Sequence, residues 1–396
     1  MVSEMRQWYN STFTQEKYLK IIASTNPFYD TEKDFRLAET PVFVSKAFKS
    51  EMMQLFGEIK EVLESEGFSA KMDRAVPSHL RVANEDPAPV FVVIDFAVCK
   101  DSEGRYFPQI IEMQGIASLY CYQRVFSNAF LDVFGIEKSH FSPFYEGYDD
   151  LSYVSELKKA ILADQDPEQV ILLEIDPWNQ KTRIDFYHTK QDIGIEIVDI
   201  NHVWQKGREL FYQKGEKNIP IKRIYNRVIF DEFERRKDLE LKFDIFSDLD
   251  VKWMSHPNWF FKISKFSLPF IKSRYVPDSQ FLSEIKTIPS DLENYVLKPL
   301  FSFAGAGVIF DVKPEDIASI SDPENYILQR KVNYEAFIPT PNDTPAKAEI
   351  RMMCLWDEKG LKPIFNLARL SKGKMLGVDF NKERDWVGAS AVLFEQ

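Results

Sequence analysis

The stretch YVLKPLFSFAGAGV, Tyr295 to Val308, decides how the rest of the chain is read. An apolar run ends in Lys298-Pro299. Gly305-Ala306-Gly307 follows after a short interval, and a second apolar run, VIFDV, comes next. The pattern predicts a strand, a loop of small residues and a second strand, with one cation at the exit of the first. Glycine's tolerance of positive φ lets backbone N–H groups converge on an anion, and a lysine alongside supplies charge. The stretch reads either as a phosphate-binding hairpin or as an ordinary hairpin with a Gly-Ala-Gly turn and a surface lysine. Its neighbours have to decide.

At 396 residues the chain is long for one core, so two or three domains are expected. With 33 Phe and 16 Tyr, large buried areas are available for packing. The net charge of −11 argues against nucleic acid as the main partner, because phosphate backbones need a basic footprint. It leaves room for ATP, since a few lysines and Mg²⁺ suffice for one triphosphate. The three cysteines, Cys99, Cys121 and Cys354, have no metal-ligand spacing and fit a reducing compartment. The N-terminus MVSEMRQWYN is polar, with no signal peptide visible, and the apolar runs are too short to span a bilayer. A cytoplasmic protein is the expectation.

Residues 1–90 read as a mainly helical segment, with Met53, Phe56, Ile59, Val62 and Leu63 at helical spacing and Gly67 as a stop. In VFVVIDFAVCKDSEGRYFPQIIEMQ two apolar runs flank a polar tip, which predicts strands near 90–99 and 105–114. Glu112 and Gln114 then share one face. They read as a solvent-facing pair or as an oxygen-rich corner for Mg²⁺. From residue 166, QVILLEID, KTRIDFYHTKQDIG and IEIVDI form a strand, helix and strand, the βαβ unit of a parallel sheet. IKRIYNRVIF is a third strand run, and its Arg227 either snorkels to an edge or clamps a carboxylate or phosphate. The polar QKGREL and QKGEKN segments read as solvated helix and loop. Met254 to Tyr275 should form a helix ending before Pro277, with Lys262, Lys265 and Lys272 on it. NYILQRKV predicts one more strand, and KAEIRMMCLWDEKGLKPIFNLARLSKG two strands around a DEKG turn, carrying Glu349, Arg351 and Arg369. The tail should bend at Gly388-Ala389 into a final apolar strand.

No P-loop, HExxH, CxxC or GxSxG pattern occurs, and the five histidines are scattered. The chemistry on offer is that of lysine, arginine, glycine and carboxamide groups, the toolkit of phosphoryl handling.

The order of these pieces resembles the ATP-grasp superfamily, and most of all the arrangement of eukaryotic-type glutathione synthetases. QIIEMQGIAS (Gln109–Ser118) is similar to that family's magnesium-binding strand, VILLEID…IGIEIVDI to its substrate domain, and RIYNR (Arg223–Arg227) to a strand of the type xxYFR. Lys265, VLKPLFSFAGAG, ILQRKV, LARLS and WVGASAVL follow in family order. The resemblance implies an α/β protein of ATP-grasp fold with an inserted or adjacent βαβ parallel-sheet substrate domain. Its parts would be the helical segment 1–90, the first part of the core at 91–165, the βαβ substrate domain at 166–250, and the nucleotide-binding half with its glycine-rich lid at 251–396.

It also implies roles. Lys265 and Lys298 would hold the phosphates of ATP, with the Ser302, Gly305 and Gly307 backbone closing over them. Gln329, Lys331 and Val332 would form the adenine hinge. Glu112 and Gln114 would hold Mg²⁺, and Arg227 and Ser118 would touch the substrate. Arg351 or Arg369 would stabilise charge as a carboxylate and an amine are joined through an acylphosphate. The partners expected are a small-molecule or peptide carboxylate and an amine, with neither nucleic acid nor membrane; a homodimer is allowed.

The chain departs from the family where an acidic metal ligand would follow Lys298-Pro299, at Leu300, Phe301 and Ser302. Gln114 stands in place of an asparagine. Glu349 or Asp311 are the substitutes for the missing carboxylate. The alternatives are a non-catalytic nucleotide- or peptide-binding module on the same fold, and an interaction protein with no nucleotide site.

Overall fold

Phe91–Lys100 and Tyr106–Gln114 pair antiparallel, as the two apolar runs and their KDSEGR tip require. In the computed structural model, which describes residues 1–25, 35–116, 118–301, 307–341, 344–373 and 384–396, this hairpin forms one side of a central six-stranded sheet. Phe91–Lys100 also pairs antiparallel with Ala346–Asp357, which pairs with Gly360–Ser371, and Gly388–Ser390 completes that edge. Segments some 250 residues apart in sequence thus lie side by side.

Alternation along these strands gives the sheet two different faces. Ile94, Phe96, Val98, Ile350 and Met352 point to one face and pack with Phe48, Met52, Leu55 and Ile59 of the Lys46–Leu63 helix. That helix is capped by Ser45, whose side chain accepts the Phe48 N–H. On the other face Phe91, Val93, Met353, Leu355 and Phe365 join a second core that includes Phe126 and Phe130 of the Tyr122–Phe134 helix. Past Val93 this face turns polar.

Val170–Glu174, Arg183–Ile193 and Glu196–Asp199 form the expected strand, helix and strand, and the two strands are parallel. Arg223–Asn226 and Lys252–Met254 extend the same sheet on its other side, also parallel. A three-stranded antiparallel sheet, ordered Ser279–Phe281, Tyr326–Arg330, Tyr295–Pro299, carries the opening stretch. Val42–Val44 pairs parallel with Val392–Glu395, which pairs with Phe141–Ser142. Among the described residues no helix is long and apolar enough to cross a membrane.

Three expectations are corrected. The polar 204–221 region is not helix and loop but an antiparallel sheet of Trp204–Lys206, Glu209–Lys214 and Lys217–Ile221, in which Leu210, Tyr212 and Ile221 are buried and the lysines stay outside. Met254 to Tyr275 is not one helix: Pro257–Lys262 is followed by a separate 3-10 turn, Lys265–Phe270, with Pro269 inside it. Proline cannot supply the N–H that a continuing α-helix needs. VIFDV is not the second strand of a hairpin; Ile309 makes a single bridge to Leu297, and the partner of Tyr295–Pro299 is Tyr326–Arg330.

Candidate functional site

The polar end of the central sheet is built in two rows. Strand register aligns Glu112, Asp95, Arg351 and Leu367 across four strands, and next to them Gln109, Ala97, Glu349 and Arg369. A bulge in the Tyr106–Gln114 strand makes this possible. Asp95 pairs with Glu112 but Phe96 pairs with Ile110, so Ile111 is the extra residue. It lets Glu112 and Gln109 share the polar face while Ile110 stays in the apolar core.

Asp95, 1% exposed, is the hub. Arg351 donates to it through Nε and Nη2 at 2.7 and 2.6 Å, and Arg369 donates through Nη2 at 2.6 Å. Arg369 Nη2 also binds Glu349, which accepts from the Tyr334 hydroxyl at 2.9 Å. Burial pushes the Asp95 carboxyl up, but the two guanidiniums outweigh it and hold the group below the usual carboxylate range. Glu349 goes the other way: its burial exceeds the pull of Arg369, and Asp95 and Glu112 add like-charge repulsion, so its carboxyl is raised. Asp95 and Tyr334 were not read from the sequence as site residues. Asp95 left a signal, a lone carboxylate inside a nine-residue apolar run; Tyr334 left none.

The Tyr295–Pro299 strand brings the lysines. Val296 and Lys298 are opposite Gln329 and Ile327, and these side chains share one face of their sheet. Lys298 is half-buried. Burial is the main cause that lowers its ammonium to about 8, Lys265 adds repulsion, and Glu112 and Glu349 pull the other way. Lys265 Nζ donates to the Pro299 carbonyl at 3.3 Å. The two lysines, Glu112, Glu349 and Arg369 therefore form one electrostatically coupled cluster. Gly307 is present at φ 71°, a left-handed conformation suited to glycine; Ser302 and Gly305 lie outside the described residues.

Gln329 shares the Lys298 face, whereas Lys331, Arg227 and Ser118 lie apart from the lysine and carboxylate cluster. The Gln329 side chain is buried and donates to Ser279 at 3.0 Å, across the pairing with Ser279–Phe281. The Lys331 ammonium stands 3.5 Å from Asp311, and its backbone N–H donates to Asn294. Val332 follows, half-buried, just past the strand end. Arg227 sits past the end of Arg223–Asn226 in the parallel sheet, with its guanidinium 5.4 Å from the Phe186 ring and 3.8 Å from Asp185. Its Nε and Nη1 are buried with no hydrogen-bond partner among the described residues. Asp185 Oδ1 accepts the N–H groups of Cys121 and Tyr122, just after the turn that holds the half-buried Ser118. Glu174 lies at the same edge, and its burial, against the pull of Arg227, raises its carboxyl to about 8.

The carboxylates do not fit a dedicated divalent-metal site. Glu112 accepts the Gln114 amide at 2.8 Å, so Gln114 presents its N–H₂ rather than its oxygen to that carboxylate. Asp95 and Glu349 are engaged by guanidiniums. No group of three His, Cys, Asp or Glu able to hold a metal ion occurs among the described residues.

A mixed α/β chain with this sheet arrangement has the glutathione synthetase-like fold. It is similar to the apo structure of a glutathione synthetase-like effector from Globodera pallida, with a TM-score of 0.59 and 12% identity over 91% of this chain and 95% of that one. At that identity the likeness concerns the fold alone. No model of a known protein family and no curated protein matches the chain.

Proposed function

We propose that the cluster of Lys265, Lys298, Glu112, Glu349 and Arg369 binds ATP, taken as its magnesium complex, and that the protein is an ATP-dependent carboxylate–amine ligase of ATP-grasp type. The observation that carries this reading is that Lys298 interacts with Lys265, Glu112 and Glu349, that Arg369 interacts with the same two carboxylates, and that Lys265 reaches the Pro299 carbonyl. In this reading the lysines neutralise the phosphates. A substrate carboxylate oxygen attacks the γ-phosphorus, ADP leaves, and an acylphosphate forms. The amine then attacks the acyl carbon, loses its proton and expels phosphate. Arg369, whose Nε is buried without a partner among the described residues, is the group for the developing negative charge. Such a donor is worth roughly 3 kcal/mol in the transition state. Arg351, locked bidentate on Asp95, serves to hold that carboxylate in place. Arg227 and Ser118 would receive a substrate group at the edge of the parallel sheet.

The occupied carboxylates favour a second reading, a nucleotide- or peptide-binding module without turnover. Thermal shift separates binding from no binding: ATP at ~100-fold above Kd should add about 2.7 kcal/mol of stability, and no shift at millimolar ATP rejects both the ligase and the nucleotide-binding module. Phosphate release across a panel of carboxylates and amines then separates ligase from binder. Lys298→Ala should abolish the ATP shift, and retained binding would refute the role given to that lysine.

A further inference from the structure

The residues 82–86, Val-Ala-Asn-Glu-Asp, are fastened to the Pro257–Lys262 helix by a dense set of hydrogen bonds. Asn258 Oδ1 accepts the Val82 N–H at 3.0 Å, and Asn258 Nδ2 donates to the Val82 carbonyl at 3.0 Å and to Glu85 at 2.8 Å. The Trp259 indole donates to the Asp86 carbonyl at 3.0 Å, and Lys262 pairs with Glu85. His256 closes the set, 3.0 Å from the Ala83 carbonyl through Nε2, while its Nδ1 accepts the Asn258 N–H at 3.2 Å. These partners allow one protonation state only. Nε2 must carry the hydrogen that reaches a carbonyl, and Nδ1 must present a lone pair to an N–H.

What the helix holds in turn is the end of the Glu112 strand and Lys265. The Ile263 carbonyl, one residue beyond the helix, accepts the Gly115 N–H at 2.9 Å, which ties down the end of the strand that carries Glu112 and Gln114. Lys265 follows two residues later and reaches the Pro299 carbonyl.

We propose that His256 and Asn258 are positioning residues of a clamp that closes only while the His256 imidazole is neutral, so that acidification releases the Pro257–Lys262 helix and loosens Lys265 and the Gly115 strand end. Protonated Nδ1 would set one N–H against another and remove the cap from the helix. The groups facing His256 are Glu85 and Asp86 from the 82–86 segment, Lys262 from the helix and the Trp253 ring, edge-on at 6.3 Å. Burial lowers the His256 pKa more than the Ala83 carbonyl and the two acids raise it, and Lys262 adds to the lowering. The folded chain therefore resists protonation, and the clamp's stability is present above the ordinary histidine value near 6.5 and is lost as pH falls through the lowered one.

Amide hydrogen exchange tests the clamp without reference to any ligand. After correction for intrinsic rates, protection in 82–86 and 257–263 should fall roughly 5-fold or more between about pH 7.5 and about pH 5 in the wild type. His256→Asn, whose amide oxygen can cap but cannot titrate, should keep its protection at both. Unchanged protection in the wild type, or an equal loss in the variant, overturns the proposal. Should the variant not fold, NMR of ¹³C-labelled histidine in the wild type decides: His256 must titrate together with loss of Asn258 protection, and titration without that loss refutes the clamp. The consequence for Lys265 rests on the nucleotide reading. If ATP binds at no pH that reading fails, while the exchange result still decides the clamp.

Discussion

Lys298 lies where Glu112 and Glu349 attract its charge, and burial with Lys265 nearby brings its ammonium down to about 8. Two opposite pH dependences follow. Between about 8 and the ordinary 10.5 the folded chain holds fewer protons at this site than the unfolded one, so Lys298 adds stability as pH rises through that window. Phosphate binding runs the other way, since it needs the charged form; ATP affinity should decline as pH climbs through about 8 rather than near 10. Titration calorimetry across this range is the check, and a flat profile up to about pH 9.5 would show that Lys298 is not the phosphate contact. Asp95 gives a stability prediction of a different kind. It is the shared acceptor of two guanidiniums at 1% exposure, so Asp95→Asn leaves cations underpaired in a buried place. Breaking such a pair costs about 3–5 kcal/mol, which urea denaturation would register as a lower midpoint at unchanged m. A loss below about 1 kcal/mol would mean that solvent reaches the network.

At the scale of elements, what was legible depended on how completely an element was buried on one face. Phe91–Lys100 and Tyr106–Gln114 were expected within a residue of their observed ends, because long apolar runs and a glycine-bearing tip leave few alternatives. The sheet at 204–221 was missed because only Leu210, Tyr212 and Ile221 reach the core, and the lysines that fill the exposed positions resemble a solvated loop. The bulge at Ile111 was also hidden, although it sets which way Glu112 points; no residue type marks a bulge when the extra residue is isoleucine. Gly115 carries a constraint of the same hidden sort. A Cβ there would stand 2.4 Å from the Trp259 carbonyl oxygen, a backbone atom rather than the end of a flexible side chain. Gly115→Ala should therefore cost about 1–3 kcal/mol by overpacking. It should also weaken ATP binding, because it pries the Glu112 strand from the helix that precedes Lys265. Gly57→Ala is the control: nothing lies within 4 Å of that position in the Lys46–Leu63 helix, so alanine should stabilise by about 0.5–1 kcal/mol. If both alanines behave alike in thermal melts, the close approach at Gly115 is not what holds the strand end.

Across the whole molecule, the polar end of the central sheet belongs to no single stretch of chain: its carboxylates and arginines come from residues 95–112 and 349–369, and its lysines from 265 and 298. Their order along the sequence suggested one arrangement through its resemblance to a family, but their pairing could not be read, because register between distant strands is a property of the assembled sheet. The chain ends follow the same logic. Val392–Glu395 is the middle strand of a three-stranded sheet, parallel to Val42–Val44 and antiparallel to Phe141–Ser142, and Val392, Leu393 and Phe394 are fully buried. Ala38 and Ala389 add a backbone link at 2.8 Å beside it, and Ser390 donates its hydroxyl to the Thr40 carbonyl. Removing residues 387–396 would thus leave two strands without their shared partner and uncover both cores at once, since Phe394 belongs to one and Leu393 to the other. Each of those large side chains is worth roughly 1.5–3 kcal/mol of burial, a sum comparable with the whole stability of a typical domain. The truncated chain should show no cooperative thermal transition in calorimetry. A sharp transition near the wild-type temperature would mean instead that the terminal strand is an accessory to a fold that closes without it.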